Sequence, residues 1–74
     1  MSRYIKHTKT NKILAYGFDH ALGYWYDVQD PSTNKFEVEK GTYLGNSKSE
    51  MLEDLKRYEI NDTHLNAIAL DLEF

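Results

Sequence analysis

Cysteine is absent from this chain, so no disulfide can restrain the unfolded ensemble and no thiolate can hold zinc or an iron–sulfur cluster. A reducing compartment suits such a chain, and the expected location is cytoplasmic. Long apolar runs are also missing. Nothing approaches the ~18 consecutive apolar residues a membrane span needs, and the N-terminus lacks the apolar stretch of a secretion signal, so no membrane association is expected. Glycine occurs only at positions 17, 23, 41 and 45, a spacing that forms neither GxGxxG nor GxxxxGK[ST]. Gly41-Thr42-Tyr43-Leu44-Gly45 does precede a helix start, where anions can bind. It carries nothing specific to a nucleotide, and no cofactor is expected.

What is present fits one small domain over residues 1–74, long enough to bury only roughly 60% of the surface its unfolded chain exposes. The net charge of −3 is unevenly spread. Four of the nine Lys and Arg (Arg3, Lys6, Lys9, Lys12) lie in the first twelve positions without an acid among them, leaving five to face all twelve Asp and Glu from Ile13 onward. Residues 1–11 therefore read as a basic arm, either frayed or a short edge strand. The acidic body should repel a phosphate backbone, which makes nucleic acid an improbable partner and a basic protein a better one.

Hydropathy patterning gives the fold. Lys12–Phe18 alternates Leu14, Tyr16 and Phe18 against Ile13, Ala15 and Gly17, while Gly23–Gln29 alternates Tyr24, Tyr26 and Val28 against Trp25, Asp27 and Gln29. Asp30-Pro31-Ser32-Thr33-Asn34 has the chemistry of a turn, and a third strand follows with Phe36 and Val38 inward and Glu37 and Glu39 in water. Ser47-Lys48-Ser49-Glu50 matches a capping box, and Met51, Leu52, Leu55 and Tyr58 then recur at helical spacing, predicting a helix over 48–58. Asn61-Asp62-Thr63 is a second helix start. Beyond it, Leu65, Ile68 and Leu72 suit a helix whereas Leu70, Leu72 and Phe74 alternate like a strand; the reading is a short helix running into an extended tail. The fold class is α+β: a three-stranded, possibly four-stranded, antiparallel meander followed by two helices on one face.

Four residues stand out as binding candidates: Asp19, His20, Trp25 and Asp27. Trp25 has two readings. It can lie half-buried across Gly17 as a cross-strand packing partner, or, since the inward face is already complete, it can be surplus on the outer face beside Asp27 as a protein-binding hot spot. Asp19-His20 sits in the hairpin loop. Sequence neighbours seldom orient one another as a catalytic pair, and no Ser or Cys nucleophile accompanies them; the ordinary role of such an Asp is to accept loop amides. His7, His20 and His64 match no metal-ligand spacing, and His64, in the first turn of the second helix, reads as a surface or capping residue. No catalytic residue and no metal site is assigned.

The stretch Tyr16-Gly17-Phe18-Asp19, followed by Gly23-Tyr24, then a strand, a polar turn and a capped helix, resembles a loose set of small uncharacterised bacterial and phage proteins. The likeness spans residues 13 to about 70. It brings no established chemistry and no site residues; what it implies is an accessory or mobile-element protein that acts by binding, an inhibitor of a host defence system of the anti-CRISPR kind being one example. The expected function is a non-enzymatic protein-binding module with an acidic, aromatic surface. Two alternatives stay open: a small ligand-binding domain or enzyme using Asp19 and His20 at a dimer interface, and nucleic-acid binding through the basic arm.

Overall fold

The computed structural model describes residues 2–74. Four antiparallel strands form a meander in the order β1-β2-β3-β4: β1 Tyr4–His7, β2 Ile13–Asp19, β3 Gly23–Asp30 and β4 Lys35–Gly41. A 3-10 turn at Thr42–Leu44 leads into α1 (Lys48–Arg57) and α2 (Asp62–Ala69). The basic N-terminal segment is thus the edge strand, not a frayed arm: Tyr4 pairs with Tyr16 and His7 with Ile13. Among the described residues no helix is long and apolar enough to cross a membrane.

Turn chemistry sets the hairpins. The Asp19 carboxylate accepts the amides of Ala21 (2.8 Å) and Leu22 (3.1 Å), and Gly23 closes that loop at φ +87°, a left-handed conformation that glycine adopts without penalty. In the β3–β4 turn Asp30 accepts the Ser32 amide at 2.9 Å, and Asn34 takes the left-handed position at φ +56°.

Alternation sends Leu14, Tyr16, Tyr24, Tyr26 and Val28 toward the helices, where they join Met51, Leu55, Ile60 and Ile68 in one core. On β4 the pattern breaks. Val38 pairs with Val28 but Phe36 pairs with Gln29, so Glu37 is an extra residue in a bulge. The bulge inverts the alternation, and Phe36, expected inward, is 53% exposed in the same row as the outward-facing Gln29.

Both helices begin as their sequences suggest. Ser47 Oγ accepts the Glu50 amide (3.1 Å) and Asn61 Oδ1 accepts the Thr63 amide (2.7 Å). The capping box is half made, since the Glu50 carboxylate accepts from Asn46 Nδ2 instead. Both helices also end alike. The Glu59 amide reaches Lys56 O and the Ile60 amide Leu55 O; the Asp71 amide reaches Ile68 O and the Leu72 amide Ala67 O. These are Schellman closures, with Glu59 and Asp71 each at φ +58° where glycine would normally sit. The tail after Asp71 adds no strand; it returns over the sheet so that Phe74 stacks on Tyr4 (5.6 Å between centroids) and Tyr24 (6.2 Å).

An L-residue in the left-handed region costs about 1 kcal/mol relative to glycine. Glu59→Gly should therefore stabilise the chain by about that amount, or roughly 4–8 °C in Tm for a domain of this size. Asp71→Gly should gain less, because the ion pair it removes, with the largely covered Lys48 at 2.6 Å, is less screened than the exposed Glu59–Lys9 pair lost in the first variant. Thermal denaturation of the two variants beside the wild type checks both the sign and the order.

Candidate functional site

Both helices cover one face of the sheet, and the other face has no helix over it. Strand pairing arranges its side chains in three rows. One holds Gly17, Trp25 and Gly41; the next Ile5, Ala15, Asp27 and Glu39; the last His7, Ile13, Gln29 and Phe36. Register therefore places Trp25 on the outer face, directly opposite Gly17 as expected, and leaves it partly buried.

What lies over the glycines is not what the strand pattern implies. A Cβ on Gly17 would collide with the Ser2 carbonyl, and one on Gly41 with the Tyr43 ring. Ser2 is held there by its amide to Phe18 O (2.9 Å), while its Oγ accepts the Phe18 amide (3.0 Å). Trp25 thus lies between two glycine positions, one covered by the N-terminal backbone and the other by an aromatic ring. The residue is half-buried across from Gly17, on a face over which no helix lies among the described residues.

One row over, Asp27 and Glu39 are direct cross-strand partners, an arrangement of like charges that destabilises a sheet. Burial holds the Asp27 carboxyl above its ordinary range; Arg3 pulls it down by more than the facing Glu39 pushes it up, and burial still prevails. Around this under-compensated carboxylate lie Ile5, Ile13, Trp25 and Phe36, with Ile5 and Phe36 well exposed.

Asp19 and His20 are not brought together. Two loop amides occupy the Asp19 carboxylate and push its pKa down. His20 turns away, its Nδ1 3.2 Å from Glu73 Oε1 and its ring edge-on to Phe18 at 5.5 Å. His64 is partly buried, with its ring turned onto the sheet rather than into solvent. Its Nδ1 is 2.6 Å from the Tyr16 hydroxyl and its ring is 4.2 Å from that of Tyr4. Among the described residues no three His, Cys, Asp or Glu side chains are grouped to share a metal ion.

The basic segment is dispersed as well. Lys12 is closed off by Asp30 (2.8 Å) and Glu37 (2.7 Å), and the Lys12 ammonium, with Ser32, pulls Asp30 down to about 2. Arg3 acts on Asp27 at the outer face. Lys6 and Lys9 face the α1–α2 connection.

Asp54, not singled out by the sequence reading, is the buried charge of the domain, only 6% exposed. Tyr26 Oη donates to it at 2.6 Å, Lys40 Nζ at 2.8 Å, and Arg57 also donates. Burial works against its ionised form, but these three donors outweigh burial and leave its pKa lowered. A signal was available: Asp54 follows Met51 by three residues and precedes Tyr58 by four, which puts a carboxylate on the apolar helix face. With every donor satisfied, the cluster reads as a structural lock between β3, β4 and α1. Comparisons with family models, curated proteins and solved structures returned no match.

Two outcomes follow. Asp54→Ala leaves a buried tyrosine hydroxyl and two cations without their acceptor and should cost about 2 kcal/mol, the solvent exposure of Arg57 keeping it below a fully buried pair; Tyr26→Phe should cost about 1 kcal/mol. Urea titrations rank them. Separately, burial holds the His64 imidazole below its ordinary 6.5, so the unfolded chain binds a proton that the folded chain does not. Stability from this site is complete above pH 6.5 and declines as pH falls through 6.5 toward the lower folded value. Denaturation midpoints between pH 7.5 and 5 should fall more steeply for the wild type than for His64→Gln.

Proposed function

We propose that this chain is a non-enzymatic protein-binding module whose outer sheet face docks a basic partner. The observation that carries the reading is the Asp27–Glu39 pair, two carboxylates opposed across neighbouring strands inside an apolar surround of Ile5, Ile13, Trp25 and Phe36. In the isolated chain like charges on facing strands are unfavourable, and although Arg3 outweighs the facing Glu39 at Asp27, it does not fully offset the burial of that carboxylate. A Lys or Arg from a partner would relieve the repulsion while its neighbours cover the apolar rows, giving an aromatic anchor beside a desolvated charge pair.

Trp25 is the anchor on this reading. It is already partly buried in a row whose flanking glycines are covered by Ser2 and Tyr43, which limits the side-chain freedom it would lose on binding. Asp19 and His20 lie at the rim of the same sheet end and would contribute steering charge rather than contact energy. The binding role implied by the resemblance to accessory and mobile-element proteins, defence inhibitors included, is of this kind.

The test is retention of host proteins on the immobilised chain after nuclease treatment, with face variants beside it. Wild type should retain a basic protein. Trp25→Ala should weaken its binding by about 30-fold, the range of an interface hot spot, and Asp27→Lys should abolish it. Glu53→Lys, on the exposed side of α1, should leave it unchanged. Equal retention by wild type, Trp25→Ala and Asp27→Lys would overturn the proposal.

A further inference from the structure

A second concave region lies where the β1–β2 turn faces the end of α1, on residues that the outer sheet face does not use. It has a volume of about 260 Å³, and its lining includes Lys6, Lys9, Thr10, Arg57, Tyr58 and Glu59. Its charge is opposite to that of the chain, which is −3 overall. Three permanent cations face one carboxylate.

The cations are also poorly committed. Lys6, partly buried, donates its ammonium to the Glu59 backbone carbonyl, a neutral acceptor, and forms no ion pair among the described residues. Lys9 meets Glu59 at 3.2 Å, but both side chains are largely exposed, at 86% and 62%, so the pair is screened and easily exchanged. Arg57 gives Asp54 one terminal nitrogen, leaving other donors of its guanidinium fork for a second acceptor. The Thr10 hydroxyl, 3.1 Å from that of Thr8, adds a hydrogen-bonding group at the turn.

We infer that this cleft binds a small dianionic oxyanion, a phosphate or phosphate monoester. With Lys40 neutralising Asp54, the three cations less the Glu59 carboxylate leave two positive charges, matching a phosphate dianion better than a single carboxylate, and Arg with Lys is the pairing that phosphate oxygens take in charge-assisted hydrogen bonds. The volume lies below the ~300 Å³ at which pockets begin to enclose drug-sized molecules, so it suits the phosphate with a short organic substituent against Tyr58. Glu59 is the competing anion: it occupies Lys9 until the ligand replaces it. A nucleic-acid backbone fits less well, because it needs a track of phosphate contacts, and the next cation along the turn, Lys12, is already held by Asp30 and Glu37.

The experiment is amide chemical-shift titration of the full chain with inorganic phosphate, with glycerol phosphate, and with sodium chloride at matched ionic strength. The expected result is saturable shifts confined to Lys6–Thr10 and Arg57–Ile60 in both phosphate series and not in chloride. Tighter binding of the ester would assign the cleft to phosphate monoesters; equal binding would assign it to the phosphate group alone. Lys6→Met should weaken binding about tenfold or more, as loss of a charge-assisted bond requires. Lys9→Glu, at an exposed position that does not threaten folding, should abolish it, and Glu59→Gln should tighten it. Shifts that are equal in chloride, or affinities unmoved by Lys9→Glu and Glu59→Gln, would overturn the inference. Tighter and steeply salt-dependent binding of single-stranded oligothymidine would overturn it in favour of a nucleic acid.

Discussion

Three buried tyrosine hydroxyls govern how the two layers of this domain meet. Tyr16, Tyr24 and Tyr26 supply much of the sheet's inner face, and a ring of that size fills a small core efficiently, but its hydroxyl cannot be left without a partner. Each finds one on a different piece of the helical layer: Tyr26 on Asp54 of α1, Tyr16 on His64 of α2, and Tyr24 on the Leu72 carbonyl of the tail (2.9 Å). Hydrophobic burial alone would let two short helices slide over a flat sheet. Three directional bonds at three points fix where they lie.

That constraint explains the division of labour between the faces. Polar satisfaction on the inner side recruits Asp54, and Asp54 in turn recruits Lys40 and Arg57, so the inner face absorbs charges that a surface would otherwise carry. The outer face has no such layer to satisfy. There the meander keeps an apolar surround, a like-charge pair and a tryptophan in a glycine row, and the β4 bulge adds Phe36 to it. A bulge that moves an aromatic residue from the core side to the open side costs core area, which a domain of 74 residues has little of. The exposed aromatic is a reason to look for function on that face.

Much of this was legible in the residues and some was not, for identifiable reasons. The β2 and β3 strands, the two turns that flank β3 and the α1 start are written in local chemistry: alternation, Asp and Asn turn residues, a serine cap. The Gly17–Trp25 pairing could be named as a candidate but not fixed, because a one-residue slip would have moved Trp25 to the other face. The Phe36 inversion was not, since a bulge is decided by pairing across strands rather than by the strand's own pattern. The helix ends were hidden for the opposite reason: Glu59 and Asp71 stand where the expected signal is glycine, and tertiary packing of Ile60 and the tail overrides local preference. Trp25 and Asp27 were found from alternation, and the structure places both on the open face. Asp19 and His20, adjacent in sequence, were separated by the turn that Asp19 itself caps.

The basic N-terminus shows how strand geometry undoes a compositional reading. Arg3, Lys6, Lys9 and Lys12 look like one cationic arm because they are spaced by three, but side chains on a strand alternate by two. Odd spacing therefore sends Arg3 and Lys6 to opposite faces, and the turn that follows carries Lys9 toward α1 while Lys12 is bound by Asp30 and Glu37. What composition presents as one patch is three separate electrostatic environments. Nor can the segment be removed as a unit: it carries Tyr4, which stacks on Tyr16, His64 and Phe74, so a deletion would loosen the tyrosine-anchored interface along with the charge. Point substitutions are the only way to separate what these four cations do, because the fold has already assigned them to different partners.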